Sequence, residues 1–143
     1  MKSELFKQGR EKGAQYLLKQ FSNNGQFGNP EAGVTDYYKV PSAFQVSGRT
    51  QSANLLIDWI RKNGFKSDGD FGPRPAGDNL YYYLYFNSWV IIGAQRLGQF
   101  DLSQKGMEYL RHFWDSQSGG FYSSVTDTSS TTKQDLWVTS GCG

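Results

Sequence analysis

Asn24-Gly25-Gln26-Phe27-Gly28-Asn29-Pro30-Glu31-Ala32-Gly33 is the stretch that decides the fold, because it returns as Asp68-Gly69-Asp70-Phe71-Gly72-Pro73-Arg74-Pro75-Ala76-Gly77. The two ten-residue copies align without gaps and share three glycines, a phenylalanine and an alanine. A shorter third copy is Ser118-Gly119-Gly120-Phe121-Tyr122, and the three phenylalanines are 44 and 50 residues apart. Self-similarity at this period is typical of a repeat architecture, in which one unit cannot bury its own apolar face and stacks on its neighbours.

Composition and charge narrow the classes of function. The chain has 143 residues and a formal net charge of +2, with acidic and basic residues spread along it. Because it has no block of like charge, we expect no nucleic-acid partner. Its one cysteine, Cys142, excludes an internal disulfide framework, and no apolar run approaches the length of a membrane span. We therefore expect a cytoplasmic protein that neither spans a membrane nor binds nucleic acid.

A stretch with one apolar face precedes each glycine-rich turn. Its apolar residues recur at the three- and four-residue spacing of an amphipathic helix, while charged residues occupy most other positions. On this basis we predict three outer helices, with Thr50 or Ser52 capping the second and Asp101 capping the third. The predicted apolar faces consist of Ala14, Leu17, Leu18 and Phe21, then Ala53, Leu56, Ile57 and Ile60, then Met107, Leu110 and Trp114.

The stretches that follow the turns are more apolar and predict inner helices. Residues 37–46 contain Pro41, which suits the first turn of a helix. Residues 79–92 are apolar nearly all round, and their β-branched and aromatic side chains would also suit a strand. Their length, together with the stop signal Gly98, favours a buried helix. A third inner helix begins near Lys133 and has no closing cap, so we expect the last repeat to be incomplete.

Gly25-Gln26-Phe27-Gly28-Asn29-Pro30 and Gly69-Asp70-Phe71-Gly72-Pro73, each ahead of an aromatic-rich helix, resemble the repeat of squalene–hopene-type terpenoid cyclases and protein prenyltransferase β subunits. The resemblance implies an all-α fold, the α/α toroid, in which concentric helical hairpins surround a central cavity. Residues 1–143 would then be a single domain of three hairpins, half of an (α/α)6 barrel. A homodimer or a second half-toroid would complete the ring. An open solenoid of the HEAT type has a similar period and remains the alternative arrangement.

Two departures from that family bear on the chemistry. The Asp-x-Asp-Asp acid motif of proton-initiated cyclases is missing, and Cys142 does not match the zinc ligands of prenyltransferases. We therefore expect no metal and no cofactor. A second toroid family, the sugar 2-epimerases of the N-acylglucosamine type, is similar over Phe113-Trp114-Asp115 and Gly119-Gly120-Phe121-Tyr122. The expected partner is accordingly a small-molecule substrate, either mostly apolar or a sugar.

The resemblance places active-site residues near the N-terminal ends of the inner helices. The predicted catalytic acids or bases are Asp36, Asp78 and Asp135, although an Asp at such a position also serves as a helix cap. A functional carboxylate would be desolvated beside tyrosine rings. The predicted substrate-binding residues are Tyr37, Tyr38, Lys39, Asn79, Tyr81, Tyr82, Tyr85, Asn87, Trp89 and Trp137.

Several of these residues have a structural alternative. Tyr81, Tyr85 and Trp89 form an aromatic stripe at helical spacing, which either stabilises a positive charge or packs in the core. Asn87 stands within an apolar helix and is hydrogen-bonded either to protein or to a ligand. Lys39 is either a solvated lysine at a helix start or an amine whose pKa is lowered by burial.

Three functions are compatible with these patterns. The first is a terpenoid-cyclase-like enzyme that cyclises or isomerises a mostly apolar small molecule in an aromatic-lined central cavity. The second is a carbohydrate-active toroid similar to a sugar 2-epimerase, with aromatic rings as stacking platforms. The third is a non-catalytic toroid fragment.

Overall fold

The computed structural model of the protein describes residues 2–75, 83–117 and 119–122. These residues are mostly helical, which confirms the predicted all-α class. The part of the chain that is described contains no helix with the length and apolarity needed to cross a membrane. In chain order the elements are α1 (Lys2–Lys19), α2 (Val34–Tyr37), α3 (Val40–Val46), α4 (Thr50–Asn63), α5 (Tyr83–Arg96), α6 (Phe100–Arg111), β1 (Trp114–Asp115) and β2 (Gly120–Phe121).

The second inner stretch is a helix and not a strand. α5 ends at Arg96, and its buried residues spread over most of its circumference. Gly98, with a φ of 72°, follows two residues later and stops the helix as predicted. The first inner stretch is divided between α2 and α3, and Pro41 lies in the first turn of α3. Both described inner stretches are therefore helical, as the patterns predicted.

The predicted helix caps are wrong. Thr50 and Ser52 lie inside α4, and Asp101 lies in the first turn of α6. Arg49 and Gln99 occupy the N-cap positions, and neither side chain makes a capping hydrogen bond. Short connections join α3 to α4 and α5 to α6, and they determine where the second helix begins. Thr50, Ser52 and Asp101, the residues predicted as caps, come after the first residue of their helix or coincide with it.

The buried face of α6 differs from the predicted one. Met107 and Trp114 are 37% and 49% exposed, and Trp114 lies beyond the helix in β1. Gly106 faces the core instead, together with the correctly predicted Leu110. A Cβ at Gly106 would lie 2.7 Å from Ile91, so the absence of a side chain is what lets α6 approach α5 on this face.

All three glycine-rich turns close with antiparallel backbone pairing. Phe21 pairs with Phe27 in an isolated bridge, and Phe65 pairs with Phe71 in the same manner. At the third turn the antiparallel pair consists of β1 and β2. The repeat that is visible in the sequence is therefore also a repeat of backbone structure.

Gly25 and Gly69 determine how one repeat sits on the next. Their φ values are 90° and 97°, a region that favours glycine. A Cβ on Gly25 would overlap the carbonyl oxygen of Leu55 in α4, and a Cβ on Gly69 would overlap that of Lys105 in α6. Each turn therefore presses against the outer helix of the following repeat, and only glycine allows this approach.

These two contacts set the register of the hairpins, that is, the position of each turn along the next outer helix. In this register the two inner helices lie together. α3 packs against both α4 and α5, and α5 packs against α6. Between the outer helices, the Arg61 guanidinium of α4 donates to the Asp101 carboxylate and to the Gln99 side-chain oxygen. The largest fully buried side chains include Tyr37, Phe44, Leu56, Phe71, Leu84 and Leu110.

Gly69→Ala tests this register. We expect the substitution to lower the free energy of unfolding by about 2–3 kcal/mol, since alanine is strained at this φ and its Cβ would overlap Lys105. Gly13→Ala is the matched control, because Gly13 lies within α1 with open space around it. Alanine there should stabilise the helix by about 0.5–1 kcal/mol. Urea denaturation measures both, and equal stability of the two variants would contradict the register.

Candidate ligand-binding site

The predicted site residues fall into two groups. Those that the structure describes lie on α2, at the junction between α2 and α3, and on α5: Asp36, Tyr37, Tyr38, Lys39, Tyr85, Asn87 and Trp89. The others lie outside the described residues: Asp78, Asn79, Tyr81, Tyr82, Asp135 and Trp137. The catalytic roles predicted for Asp78 and Asp135 therefore stay predictions.

Asp36 is hydrogen-bonded to the backbone of the first glycine-rich turn. Its carboxylate accepts a hydrogen bond from the backbone N–H of Asn29 at 3.1 Å, and it leaves no room for a Cβ on Gly28. The residue is exposed, so the predicted desolvation beside tyrosine rings is wrong for Asp36. It is not the helix cap either, because Gly33 holds the N-cap position of α2.

Tyr37 belongs to the core and not to the surface. It has no exposed area, and its hydroxyl donates to the carbonyl oxygen of Gly72 at 2.6 Å. The Tyr37 ring packs edge-on against Trp59 of α4, with centroids 6.0 Å apart. Burial raises the pKa of Tyr37, so its hydroxyl stays protonated. The hydroxyl of Tyr37 thus connects the first repeat to the second turn by a hydrogen bond. Because Tyr37 is fully buried, a ligand on the surface would not contact it.

A buried polar network surrounds Asp70 in the second turn. Asp70 is 1% exposed, and its carboxylate accepts hydrogen bonds from the Tyr83 hydroxyl at 2.5 Å and the Asn87 amide at 2.9 Å. The half-exposed Lys66 ammonium donates to the same carboxylate at 2.7 Å. The Tyr109 hydroxyl of α6 lies 3.4 Å from the Tyr83 hydroxyl, so the second turn, α5 and α6 meet at this network.

Arg74 is the second cation of the network. Its guanidinium donates to Asn87 Oδ1 at 2.7 Å and lies 3.7 Å from the Asp70 carboxylate. It also stacks on the Tyr83 ring, 3.6 Å from the centroid. Burial alone would raise the pKa of Asp70, but the hydrogen bonds and the two cations together lower it. Both ends of the Asn87 amide are bonded to protein, which is one of the two alternatives predicted for it.

Sequence reasoning missed this network. The first turn has Gln26 where the second has Asp70, and that difference between two similar turns is the available signal. Lys66 and Arg74 stand four residues before and four residues after Asp70. Neither pattern reveals that the carboxylate is buried, because burial arises only when α5 and α6 pack over the turn.

Four half-buried aromatic side chains form a second cluster, which we call the ring surface. It consists of Tyr38, from the α2–α3 junction, and of Tyr85, Phe86 and Trp89, from α5. The Tyr38 centroid lies 4.8 Å from that of Phe86 and 5.9 Å from that of Tyr85. The Tyr85 and Trp89 centroids are 6.3 Å apart. These are ordinary distances for interacting rings, and they require α3 and α5 to lie side by side.

The Lys39 ammonium lies among the rings of this surface. Nζ is 5.2 Å from the ring centroids of Tyr38, Tyr85 and Trp89 alike. Lys39 is exposed, and cation–π contacts at exposed sites are worth about 0.5–1 kcal/mol. The Tyr85 hydroxyl raises the pKa of Lys39 more than burial lowers it, so the predicted alternative of a lowered pKa is wrong. In return, Lys39 lowers the pKa of Tyr85.

The polar network around Asp70 contacts the ring surface through Arg74. Arg74 reaches from the second turn to α5, and its guanidinium carbon is 5.7 Å from the Phe86 centroid. Phe86 in turn packs on Tyr38. The two clusters are therefore continuous, with buried charges beneath an aromatic surface that carries one exposed ammonium.

A separate groove of about 240 Å³ lies beside α5 and α6, and none of the predicted site residues lines it. Among residues 2–75, 83–117 and 119–122, no three His, Cys, Asp or Glu side chains are grouped closely enough to hold a metal ion. Because it brings the predicted residues Tyr38, Lys39, Tyr85 and Trp89 together, the ring surface is the candidate ligand-binding site. The groove is lined by Gln95, Ser103, Gln104, Met107, Glu108 and Arg111.

Comparison with known proteins gives no relative. No protein-family model, no curated protein and no solved structure matches this chain.

Asp70→Asn tests the contribution of the network to stability. We expect it to lower the free energy of unfolding at neutral pH by about 3 kcal/mol, since it leaves the largely buried Arg74 guanidinium without its carboxylate. The pKa of Asp70 in the folded protein is below its ordinary value, so the stabilisation is present above about pH 4 and is lost as the pH falls through the folded-state pKa. Urea denaturation in acid should therefore show a smaller pH dependence in the variant.

Asp101→Asn is the matched control. Asp101 pairs with Arg61 at the surface, with an N–O distance of 2.8 Å. Because exposed ion pairs contribute little, we expect a loss below about 1 kcal/mol. Equal losses in the two variants would show that the Asp70 network does not stabilise the second turn.

Proposed function

We propose that this chain is a terpenoid-cyclase-like α/α-toroid protein that binds a mostly apolar small molecule on the ring surface and isomerises it. The toroid is supported by the turn motif and by a register that sets α3 beside α5 and each turn against the next outer helix. The ring surface lies at the α2–α3 junction and in the first half of α5, and that family has its active site near the N-terminal ends of its inner helices. Completion of the ring by a second copy belongs to the same proposal, and α1 leaves Phe6 and Tyr16 exposed for it.

The observation that carries the proposed function is the position of Lys39 among three aromatic rings. Tyr38, Tyr85 and Trp89 offer flat apolar area to a ligand, and the ammonium offers a charged hydrogen-bond donor. Apolar walls with a few placed polar groups are typical of small-molecule sites. The ligand that fits is a mostly apolar molecule with a carbonyl or carboxylate oxygen directed at Lys39.

Isomerisation fits this site better than cyclisation through a carbocation. The rings would attract a developing cation by about 0.5–2 kcal/mol. A unit positive charge 4 Å from the Lys39 ammonium would be repelled by roughly 4 kcal/mol at the effective dielectric of a protein surface. Because the repulsion exceeds the attraction, a reaction through a neutral or anionic intermediate is favoured here.

A carbohydrate is the second candidate ligand. The ring surface combines two phenol hydroxyls and an indole N–H with the Lys39 ammonium, beside flat rings. This combination suits a sugar that stacks on a ring and hydrogen-bonds at its edges. Lys39 would then bind an acidic sugar more strongly than a neutral one. Both candidate functions use the ring surface as the binding site, and they differ only in the class of ligand that binds there.

Ligand binding is expected to quench the fluorescence of Trp89. We expect a response to cyclohexylacetate, which combines an apolar ring with a carboxylate. Trp89→Phe should remove the response, and Trp114→Phe is the matched control, since Trp114 is exposed in β1 and outside the ring surface. Lys39→Met should weaken binding about tenfold, because a charged hydrogen bond is lost.

Three results would argue against this assignment. Quenching by galacturonate but not by cyclohexylacetate would favour the carbohydrate. Quenching that survives Trp89→Phe would place the site elsewhere on the chain. The lack of a response to either ligand would contradict the proposed function.

A further inference from the structure

Tyr85 differs from the buried tyrosines in its surroundings. Tyr37, Tyr83 and Tyr109 are buried, and burial raises the pKa of each. Tyr85 is only half-buried, lies on the ring surface, and has a pKa that Lys39 lowers. The buried tyrosines are therefore structural, whereas Tyr85 presents an ionisable phenol where a ligand would stack.

Two sides of the site supply the groups that face Tyr85. From the α2–α3 junction come the Lys39 ammonium, 5.2 Å from the Tyr85 centroid, and the Tyr38 ring at 5.9 Å. From its own helix comes Trp89, one turn along, whose ring lies edge-on to that of Tyr85. Lys39 favours a negative charge on the phenol oxygen most strongly, burial opposes this charge, and the Trp89 indole N–H favours it.

We propose that Tyr85 is a catalytic residue that transfers a proton to and from the substrate, with Lys39 as its charge partner. This inference rests on the proposed function of the ring surface and names its substrate class. That class is a mostly apolar β,γ-unsaturated ketone, in which one carbon bearing a hydrogen separates the carbonyl from a C=C bond. The apolar body stacks on the rings, and the carbonyl oxygen points at Lys39.

The reaction needs no oxidant, reductant or co-reactant. In its ionised form Tyr85 takes a proton from the carbon between the carbonyl and the C=C bond, and the electron pair of that C–H bond becomes the new C=C bond of a dienolate. The carbonyl π electrons move onto oxygen, where the Lys39 ammonium stabilises the negative charge. The Tyr85 phenol then gives a proton to the γ-carbon at the far end of the dienolate, the C=C bond now lies next to the carbonyl, the C=O bond forms again, and Tyr85 is again ionised.

Ultraviolet titration of tyrosine ionisation tests the inference without a ligand. In the wild-type protein we expect one tyrosine to ionise at lower pH than the others. Tyr85→Phe should remove that step and Lys39→Met should move it to higher pH. Tyr16→Phe, on the exposed side of α1, should leave it unchanged. An early step that survives Tyr85→Phe, or that does not respond to Lys39→Met, would overturn the inference.

Hydrogen exchange into β-tetralone separates the chemistry from binding. In heavy water, NMR follows the loss of the acidic C–H signals of this ketone and also the saturation transfer from the protein. We expect wild-type protein to accelerate the exchange, and Tyr85→Phe to slow it at least about 100-fold while saturation transfer persists. Saturation transfer without acceleration would overturn the inference and leave standing only ligand binding at the ring surface. The lack of saturation transfer to the wild-type protein would instead count against the proposed function.

Discussion

The contact between a turn glycine and the backbone of the next outer helix is the constraint on which the rest of the structure depends. At Gly69 a positive φ and the nearness of the Lys105 carbonyl both exclude a side chain. Because the same contact joins Gly25 to α4, the first and second turns meet their neighbours in one register. α3 and α5 consequently lie side by side, and Lys39 reaches rings that come much later in the chain.

The second turn contains a buried carboxylate that the first turn lacks. Where the first has Gln26, the second has Asp70, which is buried, accepts a hydrogen bond from Lys66 and forms an ion pair with Arg74 at 3.7 Å. A buried carboxylate without such partners would be strongly destabilising, so the second repeat depends on them. Arg74 also lies against Phe86, which forms the base of the ring surface. The electrostatics of one turn and the position of the aromatic side chains are therefore linked.

The helical class and the glycine-rich turns were more predictable than the site. Gly-x-Phe-Gly turns are visible in the sequence, and the length of α5 with Gly98 after it predicted a helix. Helix starts did not follow from capping residues, because short connections determine them. At the site, the family resemblance had named both Lys39 and Tyr85 as substrate-binding residues, whereas the burial of Asp70 depends on how α5 and α6 cover the turn. Whether Tyr37 or Tyr38 enters the core depends on the rotation of the helix about its axis, which the sequence pattern did not determine.

Nuclear Overhauser contacts of the Lys39 side chain test the central claim most directly. That claim is that the hairpin register sets α3 beside α5, which places the Lys39 ammonium 5.2 Å from the Tyr85 and Trp89 ring centroids. Ring currents should then move the ε-methylene resonances of Lys39 upfield of those of the other lysines, with Overhauser contacts to both rings. Lys39 shifts like those of a solvated lysine, without contacts to either ring, would contradict it.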